Sequence, residues 1–240
     1  MPRLLALAAS PRSTWLRHPA ATALRLMGAS LVLLALGMMW ASRIVYRGDT
    51  YVSGLGAEGE VTALAFNVSL GLVAFGGAAS AFGLWGLRSG RGLFGAWALS
   101  SSLLAASVMF AVGAAVPCSS GCPIPFTGGS TPQDYVHTAA AVLGFAFAGI
   151  GIVQSVGLGR VYAMLAAPSI LFVIAASAAG GILSIAEVAT GLGGWLELIA
   201  TTAALLWLVA LSWTTQHRLM MPAIAADRGA IPRPRTMAAQ

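Results

Sequence analysis

Residues 24–45 read LRLMGASLVLLALGMMWASRIV, an apolar run whose only charges are two arginines near its ends, Arg25 and Arg43. A helix crossing the hydrocarbon core needs about 20 largely apolar residues, and this stretch is long enough. Five more follow, near 62–87, 92–116, 135–157, 161–186 and 193–214. Composition points the same way. A soluble domain is about a quarter charged, whereas this chain is 8% charged and 58% hydrophobic, with a mean hydropathy of +0.84. It lacks the polar groups to cover its own surface and has to be solvated by lipid. The short alternating strands of a barrel are absent, and backbone polar groups must be satisfied within the spanning segment, so the spans are helices. The expected fold is all-α, a bundle of six transmembrane helices.

The arginines orient that bundle. With an even number of spans, Arg3, Arg12, Arg17, Arg25, Arg88, Arg91, Arg160, Arg218, Arg228, Arg233 and Arg235 share one side, against Arg43 and Arg47 on the other. The positive-inside rule then places both termini in the cytoplasm. Asp49, Glu58, Glu60, Asp134 and Glu187 fall outside, with Glu197 near the outer end of the last span. The resulting layout is a cytoplasmic tail over 1–23, a transmembrane domain over 24–214 and a disordered cytoplasmic tail over 215–240. Two larger external loops cover 46–61 and 117–134. The opening MPRLLALAAS is too short for the apolar core of a signal peptide, so the first span reads as uncleaved. All 13 basic residues are Arg, which, with the abundance of Ala and Gly, suggests a GC-rich bacterial genome and hence the cell membrane, a bacterial inner membrane. Aromatic-basic interleaving is absent, so nucleic acid is not an expected partner; membrane lipids are, and a membrane-protein partner is possible in principle.

Polar residues inside a membrane are costly, so their depth is informative. Asn67 lies about 9 Å into the second span at 1.5 Å per residue. Glu197 sits about as deep in the sixth. His137 opens the fourth, one turn after Asp134, and Ser184 and Glu187 end the fifth. These groups share the outer third of the membrane, which predicts an outward-facing polar pocket with Asn67, Asp134, His137, Glu197, Glu58 and Ser53 as ligand-binding candidates. Each also has a structural reading. Asn67 can bond helix to helix, Glu197 can snorkel or carry a proton, and Asp134 can cap the fourth helix. Ser100 to Ser102, Gln154 and Ser155 can tie helices together nearer the other side. Small residues in GLVAFGGAASAFG, GFAFAGIGI and AASAAGG read as close-packing faces, and Pro168 as a bend or first-turn residue.

The loop VPCSSGCPIPFTGGSTPQDYVH, residues 116–137, holds both cysteines. Outside the cytoplasm a disulfide is the favoured state of Cys118 and Cys122, with metal ligation or free thiols as the alternatives. A zinc site would need four ligands, for which Cys118, Cys122, Asp134 and His137 are the candidates. CxxxC is a weak metal signal, however, and a single external histidine cannot build a multi-histidine zinc or haem site. Neither a metal nor another cofactor is therefore expected.

YVSGLGAEGE followed by AFNVSLGL, then VPCSSGCPIP leading to VH, then GGWLELIATTAALLWLVALS occur in the order found in the bacterial membrane family catalogued as domain of unknown function 998, which this chain resembles over about 24–214. By that resemblance the recurring motif positions are Ser53, Leu55, Gly56 and Ala57; Phe66 and Asn67; Cys118, Gly121 and Cys122; His137; and Glu197. Leu198 stands where the family often has Arg after the acid, so Glu197 has Arg43, Arg47, His137 or a proton as its possible partners. The family brings no activity with it. Three functions are compatible with the residues. The first is a pocket binding a lipid headgroup, a small polar ligand or a partner protein. The second is an outer-leaflet lipid-modifying enzyme with His137 as general base, oriented by Asp134 or Glu197. The third is a small-solute transporter, for which no inverted repeat is visible.

Overall fold

The computed structural model describes residues 11–88, 97–186 and 188–229. Its seven helices, with no strand among the described residues, are α1 Pro11–Arg17, α2 Pro19–Val45, α3 Ala63–Gly83, α4 Leu99–Ala115, α5 Pro132–Val156, α6 Arg160–Ile185 and α7 Thr190–Gly229. Five of them, α2, α3, α5, α6 and α7, are long and apolar enough to cross a membrane, and α4 is a shorter apolar helix. The protein is thus an all-helical, multipass membrane protein.

Several boundaries differ from the sequence expectation. The first long helix starts at Pro19 rather than at Leu24, because Pro is accommodated in a first turn and His18 caps it through Nδ1 to the Ala20 N–H at 3.2 Å. The preceding α1 lies within the expected tail and is tied down by Trp15, whose Nε1 donates to the Phe82 carbonyl at 3.0 Å. Of the expected span 92–116, residues 92–96 lie outside the described residues, as do Arg3, Arg91, Glu187, Arg233 and Arg235. The last helix continues to Gly229, into the stretch read from sequence as a tail.

Helices α2 to α7 form a ring in which each packs on the next and α7 returns to α2. Neighbours are antiparallel, as residue pairs show. Gly28 meets Gly76 and Ser80, and Gly83 meets Ala21 and Arg25, across α2–α3. Gly77 meets Ser107 across α3–α4 and Gly144 meets Phe110 across α4–α5. Gly180 meets Gly193 and Glu197 across α6–α7. Trp40 donates to Thr202 at 3.0 Å and Thr22 to Gln216 at 3.1 Å across α2–α7. In lipid no hydrophobic force draws helices together, so backbones approach through glycine and gain dispersion and short polar bonds. At one end of the ring these contacts gather Arg25, Gly83, Gln154 and Gln216. At the other end lie Arg43, His137, Glu197 and both long loops.

Candidate functional site

Helices facing each other across the ring barely touch, and a cavity of about 450 Å³ occupies its centre. That volume is within the range of ligand pockets, about 300–1,000 Å³. Its walls are mostly apolar, with Met39, Phe66, Leu103, Phe110, Phe145 and Trp207 among them. Polarity is concentrated at the end near the loops, where Ser53, His137 and Glu197 line it. From His137 to Ile152, both on its wall, the α5 backbone rises by about 22 Å, so the cavity is long as well as narrow.

The other three ligand candidates lie off this wall and have other work. Asp134 is buried, and its carboxylate accepts the Ser119 N–H at 2.7 Å, the Ser119 hydroxyl at 2.8 Å and the Thr131 N–H and hydroxyl at 2.7 Å each. With Thr131 as N-cap it forms the capping box of α5, the acid standing at the third helical position rather than at the cap itself. Asn67 donates from Nδ2 to the Gly56 carbonyl at 2.9 Å. Glu58 is exposed, and its contribution is a backbone N–H to the Cys118 carbonyl at 3.0 Å.

The Asp134 bonds fix the loop between α4 and α5, while those of Asn67 and Glu58 hold the loop between α2 and α3 down over the cavity as a roof. Its 3-10 turn, Ser53–Gly56, is anchored at several points. The Val52 N–H donates to Glu197 Oε2 at 3.2 Å, and the Thr62 hydroxyl donates to the Leu55 carbonyl at 2.7 Å. Leu55 and Ala57 have no exposure at all. The packed part of this loop thus stands over the polar end, where half-buried Val52 and Ser53 line the cavity.

Cys118 and Cys122 are joined in a disulfide with a Cα–Cα distance of 5.1 Å. Gly121 and Cys122 take left-handed backbone at φ 78° and 47° to close so small a ring. The bridge packs on Ala57, and the Ser53 hydroxyl donates to Cys122 Sγ at 3.4 Å. Both sulfurs are thus committed to each other and to the roof.

His137 is 5% exposed, and its Nδ1 lies 2.8 Å from the Val116 carbonyl. A carbonyl only accepts, so Nδ1 carries the proton and a neutral ring keeps its lone pair on Nε2. The group orienting His137 is a backbone carbonyl, in place of the Asp134 or Glu197 expected from sequence. Glu197 is half-buried, with Gly180 giving it room: a Cβ there would lie 3.0 Å from Glu197 Cγ. Arg43 donates to the Gly48 carbonyl at 3.0 Å and lies over the Trp195 ring at 4.6 Å, next to the same loop.

Sequence reasoning missed the cavity's apolar walls. A helix face lining a greasy cavity and one facing lipid carry the same residues, so no periodicity separates them. Ser107 and Ser177, also on the wall, are the faint signal, lone hydroxyls in apolar stretches. No curated protein and no solved structure matches the chain. A family model described as a protein of unknown function, DUF998, matches residues 32–214. Its span takes in α3 to α6, parts of α2 and α7, the roof loop and the disulfide loop, and the chain belongs to this family.

Proposed function

We propose that this protein crosses the cell membrane six times with both termini in the cytoplasm, and that its central cavity holds a membrane lipid, one hydrocarbon chain along the apolar walls and the polar group beside Ser53, His137 and Glu197. The observation carrying this reading is the cavity's asymmetry: a long apolar bore with its acid and its imidazole at one end. A small polar solute would gain nothing from Phe110, Phe145 and Trp207, whereas an amphipath matches both parts. The six-span topology rests on the alternation of neighbours around the ring, which requires α4 to cross with the others, and on the arginine bias.

Mass spectrometry of lipids retained by the purified protein tests it. Wild type is expected to carry one lipid class enriched over the host membrane. Ala106→Leu, which adds volume to the cavity wall, is expected to lose most of it, and His137→Ala/Glu197→Ala to change the headgroup retained. Identical lipids in all three preparations would remove the reading.

One observation favours chemistry as well as binding: His137 shares a cavity wall with Glu197, and its Nδ1 bond to the Val116 carbonyl leaves Nε2 as the nitrogen that could act as a general base. Incubating the loaded protein and finding the retained lipid altered in mass for wild type, but unaltered for His137→Gln, would make the site catalytic.

A further inference from the structure

The roof raises the question of how a ligand reaches the cavity. Of the helix pairs around the ring, α5 and α6 have the least mutual packing. The other pairs are closed by glycine contacts or by side-chain hydrogen bonds, including Ser102 to Gln154 at 2.9 Å for α4–α5 and Tyr162 with Thr215 at 3.3 Å for α6–α7. Among the described residues no side-chain hydrogen bond joins α5 to α6. A Cβ added at Gly149 on α5 or at Gly181 on α6 meets no atom within 4 Å. Two residues of α5, Val142 and Phe145, line the cavity and are nevertheless 62% and 40% exposed. On α6, Ile174 is 60% exposed and Ala178 is exposed too, while only Ser177 of that helix reaches the cavity wall.

We infer that the cavity fills sideways from the bilayer, through a cleft between α5 and α6 with Val142, Phe145 and Ser177 at its lip, so that the occupant is a bilayer lipid and not an amphipath delivered from water. This rests on the lipid-binding reading above. The thermodynamics of the two routes differ. A chain sliding in from the bilayer exchanges one apolar surrounding for another and gains little, so the contacts at Ser53, His137 and Glu197 decide which lipid stays. From water the same chain would gain with every CH₂ it buries, but it would first have to displace a roof whose Leu55 and Ala57 are fully buried.

The test uses the full-length protein in phosphatidylethanolamine/phosphatidylglycerol vesicles containing phosphatidylglycerol with a diazirine at the end of one acyl chain. After irradiation, adducts are mapped by peptide mass spectrometry. Wild type is expected to carry them at the deep residues Leu103 and Trp207 as well as at the lip. Val142→Trp, a change at a largely exposed position, is expected to cut the deep adducts at least fivefold while leaving those at the lipid-facing Leu171 unchanged. Val142→Ala is expected to keep deep labelling at or above wild type. Absence of deep adducts in wild type overturns the lipid-binding reading itself. Deep adducts undiminished by Val142→Trp leave that reading standing and overturn side entry.

Discussion

The two ends of the helix ring use buried polar groups in opposite ways. At the Arg25 end they join solid elements. Arg25 is 1% exposed and donates to the Gly83 carbonyl at 2.7 Å, the Leu16 carbonyl at 3.0 Å, the Thr22 hydroxyl at 3.1 Å and Gln216 Oε1 at 2.6 Å. One guanidinium thus ties α1, α2, α3 and α7 through its two terminal nitrogens, with Nε buried and unpartnered. At the His137 end, Asn67, Thr62 and Glu197 spend bonds on one loop, and Ser53, His137 and Glu197 still present atoms to a cavity. A polar residue within a membrane is therefore not a functional signal by itself; the partner that satisfies it decides.

The sharpest way to break this contrast is to force volume into each side. A Cβ at Gly28 would collide with Ser80 Oγ and lie 2.6 Å from the Gly76 carbonyl and 2.9 Å from the Ser80 nitrogen. Two of those neighbours are backbone and cannot move aside. Overpacking typically costs about 1–3 kcal/mol, and separating two backbones belongs above that range. Against a total stability of about 5–15 kcal/mol, Gly28→Leu is expected to remove most of the monodisperse protein seen by size-exclusion chromatography in detergent. Gly181→Leu, at the His137 end of α6 where an added Cβ meets nothing within 4 Å, is expected to leave the yield near wild type. Equal losses would mean that the hollow side is as tightly packed as the solid one.

The next largest effect should come from Arg25. Bonds from a charged donor contribute about 1.5–3 kcal/mol each in soluble proteins, but interhelical polar bonds in lipid average about 0.6 kcal/mol. The four bonds of Arg25 bring its removal to about 2–4 kcal/mol by these figures. Arg25→Leu is expected to lower the midpoint of thermal unfolding in detergent by several degrees without changing the lipid retained. A change in retained lipid with an unaltered midpoint would show that the two ends are not separate in their roles.

How much of this was legible in the sequence follows from the same contrast. The spans were readable because hydrocarbon imposes a length and a polarity that composition records directly. His137 and Glu197 lie at one end of the cavity, the end at which counting residues inward from the loops put them. Asp134 had two readings in the sequence because a carboxylate one turn before a histidine is written identically whether it orients the ring or caps the helix, and the bonds to Ser119 and Thr131 decide for the cap. The roof was invisible for a related reason. YVSGLGAEG reads as an external loop, and its burial depends on long-range partners, Glu197 and Asn67, whose spacing in the chain does not show that they face it. Arg25 was read as one of the arginines that set topology, when its side chain is also the knot of that end.

The smallest of the three effects concerns the Cys118–Cys122 bridge, and it separates a local staple from a global one. A ring of this size removes little entropy from the unfolded chain, about 2 kcal/mol by the chain-entropy estimate. Its position matters more than that figure. Cys118 is 1% exposed, its carbonyl takes the Glu58 N–H, and Cys122 Sγ takes the Ser53 hydroxyl. Replacing both cysteines by Ala deletes the sulfur that the roof rests on, yet touches nothing near Arg25. Hydrogen exchange of the double variant is expected to be faster at the amides of Val52, Leu55 and Ala57, whose acceptors are Glu197, Val52 and Gly54. The Leu84 amide, bonded to the Ser80 carbonyl at the far end of α3, is expected to keep its wild-type rate. Acceleration at both places by the same factor would mean that the bridge stabilises the whole ring, and the division between a solid end and a roofed, hollow one would fall with it.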